Sequence, residues 1–150
     1  MPDAATPPHL KLSILGDSVT QCPGIGYDVK LRTQLEAALR ARGYDVTLRN
    51  HSIGGTTTGD GVALLDWVMA HKPDVVLIAL GTNDALDPNN DNVEAIERNL
   101  GEAIEKLRAA NVTVLLAGIR IRHDFEWRYM WRMYAKFLVN SLLELFGRPP

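Results

Sequence analysis

Asp74-Val75-Val76-Leu77-Ile78-Ala79-Leu80 is apolar at every position after the first and runs directly into Gly81-Thr82-Asn83-Asp84. A short run without polar alternation suits a parallel strand buried on both faces. Upstream, Leu10-Lys11-Leu12-Ser13-Ile14-Leu15 stops at Gly16 and reads the same way. Val46 to Leu48 gives a shorter run and Val112 to Ala117 a fourth. The text between these runs has helical spacing. Leu31, Leu35, Ala38 and Leu39 mark a helix from about Tyr27 to Arg42, with Gly43 as its stop. Val62, Leu65, Val68 and Met69 mark a second, which must end before Pro73, and Val93, Ile96, Leu100, Ile104 and Leu107 a third, with Asn111 as a C-terminal cap.

Strands alternating with helices through short loops predict an α/β fold, a parallel sheet of about four strands with helices on both faces. The expected order is flavodoxin-like, 2-1-3-4. Ligands of such sheets bind beyond the carboxyl ends of the strands, near the switch in strand order. Three short polar blocks fall at those ends: Gly16-Asp17-Ser18-Val19-Thr20, Ser52-Ile53-Gly54-Gly55 and Gly81-Thr82-Asn83-Asp84.

With 150 residues, 46% of them apolar, the chain has the length and core-forming side chains of one domain, expected to span residues 1–150. Sixteen basic and eighteen acidic residues leave a net charge of −2 and no basic block, which argues against nucleic acid as a partner. Residues 1–8 lack a charged and apolar leader, and no apolar run is long enough to span a bilayer. A cytoplasmic address is the default expectation, with a periplasmic or secreted one open if a signal peptide has been removed. Cys22 is the only cysteine, so no intrachain disulfide can form.

The three blocks carry the parts of an acyl-transfer site. A serine hydroxyl attacks an acyl carbon once its proton is removed, and the oxyanion that results needs preorganised donors. Ser18 follows a strand and a glycine, where its hydroxyl projects from the sheet rim and its N–H can face the oxyanion. Gly55, having no Cβ, can bring a backbone N–H close to a ligand. Asn83 offers a carboxamide donor. Taken singly, each block has a plainer reading: Asp17-Ser18 as a helix cap, Gly54-Gly55 as a tight turn, Asn83-Asp84 as an N-cap. Their joint occurrence at successive strand ends favours one site.

Read together with Asn50-His51 before the second block, the three blocks resemble the GDSL, or SGNH, hydrolase superfamily. Leu65-Asp66-Trp67 and Lys72-Pro73-Asp74-Val75-Val76-Leu77 look most like its bacterial arylesterase and acyl-thioesterase branch, also described as lysophospholipase-like. The resemblance runs from about Leu12 to Arg120. It implies an SGNH-type fold, Ser18 as nucleophile, and the Ser18 amide, the Gly55 amide and the Asn83 side chain as the oxyanion hole. It further implies hydrolysis of carboxylic or thio esters with no metal and no organic cofactor.

The chain departs from that family at its end. Members carry an Asp-x-x-His block after a fifth strand, the His to deprotonate the serine and the Asp to orient the His. After Arg120 there is only His123, followed by Asp124, so the domain reads as C-terminally shortened. His123 follows the fourth strand and is either a solvated loop histidine or a substitute general base. His51 also follows a strand on the right rim. His9, before the first strand, and His71, at the end of a helix, are expected at the opposite end of the sheet.

Phe125 to Phe146 is helical in composition, and its apolar residues, among them Trp131, Phe137, Leu138 and Leu142, cover more than one stripe. Such a helix is deeply buried or shared. Without a fifth strand, Val112 to Ala117 is also left as an apolar sheet edge. Both features predict a homodimer. The function expected is that of a serine esterase acting on short or medium acyl esters, thioesters included. The rival is a non-catalytic module that binds acyl ligands or carbohydrate esters and has lost the base. A flavin or nucleotide binder is disfavoured, because no phosphate-cradling glycine-rich turn follows the first strand.

Overall fold

A computed structural model describes residues 9–118, apart from 25, 27–29 and 88–92. The described elements all fall within residues 1–119, one of two units into which the chain divides; the other begins at Arg120 and lies outside the described residues.

Four strands, β1 (His9–Gly16), β2 (Asp45–Asn50), β3 (Val75–Ala79) and β4 (Thr113–Leu116), form one sheet in the order β2-β1-β3-β4. Every pairing is parallel. The order predicted from the sequence is thus the order observed. Six helices are described: α1 (Ser18–Gln21), α2 (Leu31–Arg40), α3 (Thr58–Ala63), α4 (Leu65–Met69), α5 (Thr82–Leu86) and α6 (Val93–Ala109).

Two apolar layers hold these elements together, one on each face of the sheet. Alternation along β1 sends Leu12 and Ile14 to one face, where they join Val46 and Leu48 of β2 and pack against Leu35 and Leu39 of α2. Leu15 goes to the other face with Val76 and Ile78 of β3, against Leu65 and Val68 of α4 and Ala103 and Leu107 of α6. Ile14, Leu15, Val68, Val76, Ile78 and Leu107 are fully buried. Leu12 pairs with Val75 and Ile14 with Leu77, which fixes β1 against β3 and brings the ends of both strands, Gly16 and Ala79, level.

The helix expected around Val62 to Met69 is two helices. It starts four residues earlier, at a capping box in which Thr57 accepts from the Asp60 N–H and the Asp60 carboxylate accepts from the Thr57 N–H. The apolar spacing could not reveal that polar first turn. Leu64 separates α3 from α4. The segment from Phe125 to Phe146 lies outside the described residues. Among the described residues no helix is long and apolar enough to cross a membrane.

Candidate active site

β1 lies between β2 and β3, so the block after β1 is flanked by the blocks after the other two strands. Asp17, almost fully buried, caps α1 by accepting from the Val19 N–H at 2.8 Å. That cap leaves Ser18 exposed at the first position of α1, directly beyond the strand. The helix-cap reading of Asp17-Ser18 and the nucleophile reading are therefore compatible: the cap is what presents the hydroxyl.

The second block is strapped to the first. The Ile53 N–H donates to the Gly16 carbonyl at 3.1 Å, and the Asn50 carboxamide donates to the Thr20 carbonyl at 2.9 Å. The hydroxyls of Thr20 and Ser52 are 2.7 Å apart and both buried. Gly16 sits inside this strap. A Cβ there would overlap the Thr20 hydroxyl and crowd the Ser52 hydroxyl and the Ala79 carbonyl, so only glycine fits. A Cβ built on Gly54 would stand 3.8 Å from the Ser18 Cβ, which puts the Gly54-Gly55 turn beside the serine. Gly55 holds φ at +85°, a left-handed conformation that favours glycine, with open space where a side chain would be. Among the described residues neither the Ser18 nor the Gly55 N–H has an acceptor.

The third block is tied to the second. Asn83, half-buried, donates through Nδ2 to the Thr56 carbonyl at 2.8 Å. A carboxamide nitrogen has two hydrogens, so this bond orients the group and leaves one donor for a ligand. Next to it, the buried Asp84 carboxylate accepts from the Thr58 N–H, at 3.1 and 2.9 Å to its two oxygens, and from the Thr58 hydroxyl at 2.6 Å. Asn99 of α6 then donates to that hydroxyl at 3.1 Å. This Asp84–Thr58–Asn99 chain has no sequence signal beyond the adjacency of Asp84 to Asn83. Asp84 is not an N-cap: Gly81 precedes α5 in that position.

Beside Gly55 opens a cavity of about 380 Å³, lined by Ile53, Gly54, Thr56, Asp60, Ala63 and Leu64. The Thr57 hydroxyl and N–H hold the Asp60 carboxyl below its ordinary range, so Asp60 stays ionised at the cavity wall.

The three described histidines are placed elsewhere. His9 is 2.7 Å from the Asp45 carboxylate at the start of the sheet. His51 is buried against the edge of Trp67, with ring centroids 4.4 Å apart, and its Nε2 lies 3.4 Å from the Ser13 hydroxyl. His71 is not remote from it, as its position at a helix end suggested: its ring centroid is 5.0 Å from that of His51. Strand alternation explains the pair, because Val46 and Leu48 face α2 and so turn His51 toward α4. Among the described residues no imidazole lies within hydrogen-bond distance of the Ser18 hydroxyl. His123 lies outside the described residues.

The sequence pattern of the GDSL-like lipase/acylhydrolase family matches residues 14–139. An arylesterase of Vibrio mimicus is 36% identical over 146 residues, 95% of this chain and 72% of that protein. Esterase TesA of Pseudomonas aeruginosa is 33% identical over 120 residues, 79% of this chain and 59% of the relative. A crystal structure of TesA superposes with a TM-score of 0.71 at 30% identity, covering 93% of this chain and 82% of that one. The psychrotrophic esterase EstA from Pseudoalteromonas sp., inhibited by monoethylphosphonate, gives 0.68 at 29% identity, covering 90% and 72%.

A parallel sheet in this order, with a serine, a glycine turn and an asparagine at successive strand ends, is the framework of a carboxylic ester hydrolase. The chain belongs to the GDSL-like lipase/acylhydrolase family.

Proposed function

We propose that this protein cleaves carboxylic esters of short to medium acyl chains, thioesters among them, with Ser18 as the nucleophile. The observation that carries the reading is the strapping of the Gly54-Gly55 turn against Ser18 while Asn83 is bonded to the same loop at Thr56. In the mechanism, the Ser18 Oγ attacks the acyl carbon as its proton passes to a base. The carbonyl oxygen takes up the negative charge and is held by the Ser18 N–H, the Gly55 N–H and the Asn83 Nδ2. Collapse of the tetrahedral species expels the alcohol or thiol, and water then releases the acid from the acyl-serine. The cavity beside Gly55, walled in part by Ile53, Ala63 and Leu64, supplies an apolar seat for the acyl chain.

His123 is the proposed base. Hydrolysis of p-nitrophenyl butyrate by the wild type and by Ser18→Ala and His123→Ala variants tests both assignments. Loss of turnover in Ser18→Ala supports the nucleophile, equal turnover in that variant would dismiss Ser18, and a wild type that does not turn over would favour a binding module. An unchanged rate in His123→Ala would dismiss His123. Homodimerisation through β4 belongs to the same proposal: among the described residues β4 forms one of the two edges of the sheet, and Leu115 and Leu116 are half exposed there. A monomeric mass by light scattering would remove it.

A further inference from the structure

A second cavity, of about 440 Å³, lies at the other edge of the sheet, alongside β2. Its volume falls within the range of about 300–1,000 Å³ that is usual for small-molecule sites. Arg32 of α2, Arg49 of β2, His51, Trp67 of α4 and His71 line it, and no carboxylate is among its lining residues. Two features of the lining are unbalanced. Neither Arg32 nor Arg49 has a carboxylate partner among the described residues, whereas Arg40, nearby on α2, is paired with both Glu36 and Asp45. In addition, Arg32 Nε and His51 Nδ1 are buried without any hydrogen-bond partner. Buried polar atoms are seldom left unpaired, since each unmet one has given up its hydrogen bond to water without a replacement.

We propose that this cavity binds the phosphate group of a small phosphate ester, independently of the ester-cleaving site. Two guanidinium groups and an imidazole, from α2, β2 and the residue that follows β2, suit an anion with more than two acceptor oxygens, which a carboxylate does not offer. The half-exposed Trp67 ring supplies an apolar wall for the organic part. A metal cation is disfavoured at the His51–His71 pair by the two guanidinium groups beside it. Burial first, then the neighbouring His71 and Arg49, hold the His51 imidazole below its ordinary pKa.

Calorimetric titration at constant ionic strength tests this, using inorganic phosphate, phenyl phosphate and benzoate as probes. Phenyl phosphate binds more tightly than inorganic phosphate, and benzoate does not compete. Arg49→Gln and Arg32→Gln each weaken phenyl phosphate binding at least about ten-fold, while Ser18→Ala leaves it intact. Circular dichroism confirms that the variants are folded. Equal binding by the Arg32→Gln/Arg49→Gln double variant, or benzoate binding as tightly as phenyl phosphate, overturns the proposal. Sedimentation with phosphatidylglycerol vesicles that is lost in the double variant, with no binding of phenyl phosphate, would assign the cavity to a lipid headgroup and overturn the soluble ligand.

Discussion

Asp84 grips Thr58 through both its backbone N–H and its hydroxyl, joining α5, which carries Asn83, to α3, the helix that follows Gly55. The two segments that supply the proposed side-chain and glycine oxyanion donors are thereby held in fixed relation by one buried carboxylate. Asp84→Ala leaves the Thr58 N–H and hydroxyl without their acceptor, a loss of about 2–4 kcal/mol at this buried position. Urea denaturation measures it. Ester turnover falls in the same variant, because Asn83 loses its anchored neighbour.

Asn83 itself is expected to act on the transition state more than on the bound substrate. Asn83→Ala should lower kcat about 100- to 1,000-fold with little change in KM. Steady-state kinetics on a p-nitrophenyl ester decide the matter. A change confined to KM would show that the carboxamide binds substrate without stabilising the oxyanion.

The His51 imidazole sets a pH dependence of stability. Burial, His71 and Arg49 depress its folded-state pKa below 6.5. As pH falls through about 6.5, the unfolded chain takes up a proton that the folded one does not, so stability drops. The loss grows until the lower folded-state pKa is reached and is absent well above pH 6.5. Thermal unfolding in phosphate-free buffers reads it: the fall in Tm from pH 8 to pH 5.5 is smaller in His51→Gln than in the wild type. Equal falls would mean that His51 does not carry it.

Much of this was legible in the chain because the signals were local. The apolar runs around Ile14 and Val76 are buried in the sheet, and their alternation with helical spacing gave the order 2-1-3-4. Ser18, Gly55 and Asn83 could be singled out as candidates because each falls in a short block after a strand and has a chemistry that its plainer structural role does not exhaust. What could not be read were contacts between segments distant in sequence. Asp84 meets Thr58 across 26 residues, and Asn99 meets Thr58 across 41. Gly16 looked like an ordinary strand end, yet it is required by the approach of Thr20, Ser52 and Ala79. The nearness of His71 to His51 depends on how α4 lies over the sheet, which apolar spacing alone does not report. His123 and the apolar segment after Phe125 lie outside the described residues.

A fluorophosphonate probe reads in one step whether the Ser18 hydroxyl is an activated nucleophile facing its oxyanion donors. Attack by the Ser18 Oγ forms an O–P bond and expels fluoride. Intact-mass and peptide mass spectrometry should find one adduct, mapped to Ser18 and absent from Ser18→Ala. An unlabelled Ser18, or an adduct that persists in the Ser18→Ala variant, would contradict the account.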